Sequence, residues 1–139
     1  MKPLFLLPIA VLAGGCTRQE APIAQNQAQP KGAVVVNQPR GAEIPADCDV
    51  RIEFGSYAMG IDRTASAAID RLLAEDPGVV SAEAFGWGRE GEKTICVRVR
   101  SAADGDRLAR AIAATFPAEP RGPLSVTTRN GLRFSAGRG

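Results

Sequence analysis

An α+β sandwich, with helices on one face of an antiparallel sheet, is the fold class that three observations predict. Between Asp47 and Ser135, apolar and polar residues alternate in short runs, the period of a strand with one wet face. Two longer segments carry apolar residues at helical spacing behind capping residues. Polar, glycine-bearing stretches join neighbouring runs, as antiparallel hairpins require.

The elements follow in order. Val50, Ile52 and Phe54 alternate with Asp49, Arg51 and Glu53 and make the first strand. Asp62 is a plausible N-cap for a helix whose face is Ala65, Ala68, Ile69, Leu72 and Leu73, and Pro77-Gly78 stops it. Two strands, 79–87 and 93–100, flank the turn Arg89-Glu90-Gly91-Glu92. Ser101, with Asp104 three residues on, opens a second helix that shows Leu108, Ala111, Ile112 and Phe116 on one face and ends at Pro117. Strands 124–129 and 132–135 meet at Asn130-Gly131, a pair suited to the left-handed backbone of a tight hairpin. The order βαββαβ is that of the ferredoxin-like split βαβ, here with a C-terminal hairpin extension. The same elements in another strand order are the alternative.

Composition narrows function mainly by exclusion. The 139 residues suit one compact domain plus extras, and 17 basic against 15 acidic residues is too even a balance to attract nucleic acid by its field. With no histidine, the chain lacks the commonest general base and metal ligand. It has no Cys-x-x-Cys, P-loop, GxGxxG or Gly-x-Ser-x-Gly. Ser56-Tyr57 has no neighbouring base to activate it, and the pairs Asp47/Asp49 and Asp104/Asp106 read as loop ends and caps. Strand 93–100 lacks the aromatics of an RNA-binding sheet. The expectation is a non-catalytic binding or scaffold domain without metal or cofactor.

The N-terminus carries an address. Lys2 precedes the uncharged run Leu4 to Leu12, too short to be a permanent span, which ends in Leu12-Ala13-Gly14-Gly15-Cys16. This ending resembles the lipobox of bacterial lipoproteins. The resemblance implies cleavage after Gly15, diacylglycerol on the Cys16 sulfur and an acylated amine, with Ala13 standing where Leu is usual. It makes 1–15 a signal peptide and Cys16 a membrane anchor, and Thr17 in place of Asp favours the outer membrane, facing the periplasm. Residues 16–46, rich in Gln, Pro and Gly, read as a flexible tether, and 47–139 as the folded α/β domain. Within the tether, Ala33 to Val36 is either a short docking strand or a solvated patch.

Once Cys16 is lipidated, Cys48 and Cys96 remain as an even pair in an oxidising compartment, the setting of a disulfide. Parity argues against the bridge. Cys48 shares the phase of Val50, and Cys96 that of Thr94 and Arg98, so the two point to opposite faces unless a bulge intervenes; two reduced thiols are the alternative. If Val80, Ala82 and Ala84 face the helices, Phe85 and Trp87 lie on the other side. A two-residue Asn130-Gly131 turn would add Leu132 and Phe134 to that side, away from Leu124 and Val126. These four are the candidate binding surface, for an envelope protein, peptidoglycan or a second copy, unless the hairpin folds over the aromatics and closes the core.

Two envelope families resemble parts of the domain. Ile52-x-Phe54 followed by Ala65 to Leu73 resembles the opening of an OmpA-like peptidoglycan-binding domain, which implies wall binding, with Asp104, Arg107 and Arg110 comparable to its acidic and arginine ligands. Leu72 to Val79, followed by a hairpin and a helix, is similar in layout to BON domains of periplasmic proteins.

Overall fold

The computed structural model describes residues 32–138. These form a six-stranded sheet and two helices: β1 Val35–Asn37, β2 Val50–Phe54, α1 Arg63–Glu75, β3 Val79–Gly86, β4 Lys93–Val99, α2 Ala102–Ala113, β5 Leu124–Thr128 and β6 Arg133–Ala136. The strand order is β1-β3-β4-β2-β5-β6. Strands β3, β4, β2 and β5 are antiparallel neighbours in the ferredoxin-like order, and β6 completes the C-terminal hairpin. The expected fold class is the one observed. Strand β1, which periodicity left open, pairs in parallel with β3, so the sheet begins before Asp47, in the segment read as tether.

The core lies between the helices and one face of the sheet. Val50, Ile52 and Phe54 from β2, Ile95 and Val97 from β4, and Val126 from β5 are fully covered by Ile69 and Leu73 of α1 and Leu108 and Ile112 of α2. Each such side chain contributes about 1.5–3 kcal/mol through removal from water. Both helices start as their caps dictate. The Asp62 carboxylate accepts the Ala65 N–H at 2.9 Å, which holds its carboxyl below the usual range, and the Ser101 hydroxyl accepts the Asp104 N–H at 3.1 Å. Beyond α1, the buried Asp76 carboxylate takes two guanidinium bonds from Arg107 of α2, at 2.7 and 2.8 Å, and the Gly78 N–H. The helices are thereby clasped at the end where β3 begins.

Two register details depart from the sequence reading. A bulge in β3 between Val79 and Ser81 turns Val79 into the core and leaves Val80 59% exposed, so Val79, not Val80, accompanies Ala82 and Ala84. At the second hairpin, Thr128 N–H bonds to Leu132 C=O and Gly131 N–H to Thr128 C=O, so Arg129, Asn130 and Gly131 form a three-residue loop with Gly131 at φ +87°. Val126 therefore faces Phe134, and Thr127 faces Arg133. This is one residue away from the register of a two-residue turn, and it moves every β6 side chain to the opposite face. Leu132 and Phe134 consequently pack on the main core beside Val126, and Arg133 and Ser135 take the second face.

The connection from β1 to β2 settles what lies over that second face. Both strands run in the same direction, three places apart, and the α1 crossover from β2 to β3 travels the other way across the helical face. A crossover of the same hand from β1 to β2 must pass over the opposite face, and twisted sheets favour one hand almost exclusively. Residues 38–48 do so.

Candidate functional site

Residues 38–48 form a strap over the β3–β4 half of the second face. Its start is held by the Gln38 amide, which donates to Glu83 at 3.1 Å, and by Arg40, which donates to the Gly88 carbonyl at 3.1 Å. Ala42 and Ile44 cover Phe85, and the end is fixed by the Cys48–Cys96 disulfide, with Cα atoms 5.3 Å apart. Arg51 donates to the Pro45 carbonyl at 2.9 Å, and Arg98 and Arg129 both reach the Asp47 carbonyl. Arg98 also pairs with the Asp47 carboxylate, lowering that carboxyl from its ordinary value. The bridge overrides the parity objection without a bulge in β2: the pleat begins at Val50, and Cys48 still belongs to the strap on the second face.

The strap leaves uncovered a groove on this face beside Glu53 of β2, Ser125 of β5 and Arg133 and Ser135 of β6. Register places Thr94, Glu53, Ser125 and Ser135 side by side across four strands, a transverse row of hydroxyls around one carboxylate in which Thr94 is buried and the other three line the groove. The Ser125 hydroxyl donates to Glu53 at 3.0 Å. Trp87 closes one end of the row: its indole N–H donates to the Thr94 hydroxyl at 3.1 Å, and the ring remains 43% exposed. Arg133 and Arg138 stand at the other end, and Glu53, Trp87 and Ser125 share with them a groove of about 430 Å³.

Of the four residues expected to form a surface, the structure keeps two on the second face and only Trp87 in the open. Phe85 is 5% exposed beneath the strap, and Leu132 and Phe134 are on the helical side. Cys16 lies outside the described residues. The charges compared with OmpA-like ligands are engaged within the fold: Arg107 grips Asp76 and Asp104, and Arg110 donates to the Asp106 carbonyl in its own helix.

Sequence reasoning weighed Ser56-Tyr57 only as hydroxyls without a base and missed the turn they build beside the groove. The Ser56 hydroxyl accepts the N–H groups of Met59 and Gly60, at 3.2 and 3.0 Å, and donates to the Glu90 carboxylate. It supports a turn in which Ala58 sits at φ +73°, a conformation that L-residues rarely adopt. The turn holds Tyr57 and Met59 out beside Arg121 and Arg138, around a second hollow of about 640 Å³. The only advance sign was glycine at both ends, Gly55 and Gly60.

Among the described residues there is no group of three His, Cys, Asp or Glu placed to hold a metal ion, and no helix long and apolar enough to cross a membrane. The chain matches no protein-family model, no curated protein and no solved structure.

Proposed function

We propose that the protein is a non-catalytic cell-envelope lipoprotein, anchored through lipid on Cys16, whose folded domain binds an envelope component in the uncovered groove on its second sheet face. The observation that carries the reading is the half-exposed Trp87 at the head of a groove lined by hydroxyl, carboxylate and guanidinium groups. An amphipathic ring kept partly in water beside polar groups suits a recognition surface, since aromatic and arginine side chains dominate binding energy. Supporting the anchor are the small residues ahead of Cys16 and the disulfide, which belongs in an oxidising compartment. The groove also lies at the end of the sheet where β2 and β3 finish, whereas the chain enters β1 at the other end. A domain held from its N-terminus would thus present this groove away from the anchor.

Two variants test the parts separately. Cys16→Ser should release the protein from membranes and block maturation, read by fractionation and mass; retention at the processed mass would refute the anchor. Trp87→Ala should weaken co-sedimentation with envelope fragments. Because the ring is half in water, it should cost about 1–2 kcal/mol of stability by denaturant titration, less than the 3–5 kcal/mol typical of a core Trp. Unchanged co-sedimentation would remove the groove as the binding surface.

A further inference from the structure

We propose that the groove takes an acidic glycan, a chain of pyranose sugars bearing carboxylates, with Trp87 as the stacking platform. The inference rests on the reading of this face as a binding site and names its ligand.

Three observations select the chemistry. The first is the transverse row. Glu53, Ser125 and Ser135 are placed side by side by the strand register and line the groove, where their carboxylate and hydroxyl oxygens can meet sugar hydroxyls, while the buried Thr94 hydroxyl is taken up in fixing the Trp87 ring. From β2 to β6 the row runs about 10 Å at ordinary strand spacing, longer than a single sugar ring. The second is the state of Trp87. Its N–H is already bonded to Thr94, so the ring offers an incoming ligand its apolar face and no donor. A pyranose presents a flat face of C–H groups to such a surface while its rim hydroxyls remain free for the row.

The third is charge. Neither Arg133 nor Arg138 makes an ion pair among the described residues, and the one carboxylate in the groove, Glu53, already accepts from Ser125. Two cations against one acid leave the groove positive, complementary to a carboxylate-bearing chain. An extended acidic peptide is the competing class. It would add alongside the free outer edge of β6 and run parallel to the strands, leaving the transverse row and Trp87 unused.

Trp87 is the only tryptophan in the chain, so its emission reports on the groove directly. The full-length protein is titrated with oligogalacturonate, with a neutral galactan oligosaccharide of the same length, and with poly-glutamate. The expected result is a saturable change with oligogalacturonate that weakens with salt, and a weaker response to the neutral oligosaccharide. The double variant Arg133→Ala, Arg138→Ala should bind the acidic sugar about tenfold less well, as two exposed charge contacts would give, and should lose the preference over the neutral one. Calorimetry on Trp87→Ala should show binding lost while the denaturation midpoint still reports a folded domain. Poly-glutamate binding as tightly as the sugar, with the same dependence on Trp87, would overturn the glycan assignment in favour of a peptide. Absence of binding to either oligosaccharide, with envelope co-sedimentation still dependent on Trp87, would also overturn it and leave the broader binding reading standing.

Discussion

Phe85 and Trp87 are two positions apart on one face of the sheet, and their surroundings differ by what the strap reaches. Phe85 is 5% exposed under Ala42, Ile44 and the disulfide, whereas Trp87 lies past the end of β3 with 43% of its surface in water. Phe85→Ala should therefore cost about 3–5 kcal/mol, the price of emptying a well-packed aromatic site, and a denaturant titration should show it. A loss below that of Trp87→Ala would mean that the strap does not pack on the ring. Alternation alone placed both residues on the second face correctly. It was silent on the cover, because Pro39, Gly41 and Pro45 break up the strap and leave it no period to read.

At the scale of elements, the two helices were legible because cap, apolar stripe and stop signal agree in each, at Asp62 and Pro77-Gly78, then at Ser101 and Pro117. The last hairpin was legible in kind but not in register. Asn130-Gly131 marks a turn whether the loop holds two residues or three, and here the Thr128 hydroxyl accepts the Leu132 N–H and the glycine takes the left-handed position of the longer loop. That single residue decides whether Phe134 is core or surface. The clasp between the helices was not foreseeable, since Asp76 and Arg107 are far apart in sequence and carry no joint motif.

The clasp makes a prediction about acid. Arg107, first, and the Gly78 N–H hold the Asp76 carboxyl below its ordinary value. A depressed folded-state value means that the stabilisation is complete above the unfolded value near pH 4 and is lost as pH falls through the folded one. Asp76→Asn should cost about 1–3 kcal/mol at neutral pH, the usual worth of hydrogen bonds to a charged group. The gap from wild type should narrow below about pH 4. Parallel stability curves at all pH values would show that the Arg107 contact adds nothing to the fold.

For the whole molecule, the strap and its bridge matter more than any single contact. Cys48 and Cys96 are 48 positions apart, a closure worth about 4 kcal/mol in the chain-entropy description. Cys96→Ser, or reduction of the wild type, should remove a large part of this and should increase exposure of Phe85, measured by denaturation and by dye binding to apolar surface. Unaltered stability would indicate that the Arg98 and Arg129 contacts to Asp47 hold the strap unaided. The ferredoxin-like order could be read from element order because hairpins and crossovers leave few arrangements open. The strap's path could not, since it depends on β1, whose three residues fit a strand or a solvated patch equally well.

The parallel pairing of β1 with β3 has a mechanical side. A load on the chain ahead of Gly32 meets the Ala33 N–H bond to the Leu73 carbonyl and then β1 at its starting end, which it pulls along the strand axis against β3, so the β1 hydrogen bonds are sheared together rather than opened one by one. Should β1 yield, the strap can peel only as far as Cys48, where a covalent bond to Cys96 takes the tension. Beyond that stop, the segment between the two cysteines, which contains β2, α1 and β3, is shielded from extension. A pulled molecule can thus lengthen by its strap while the segment that carries Glu53 and Trp87 is spared the load.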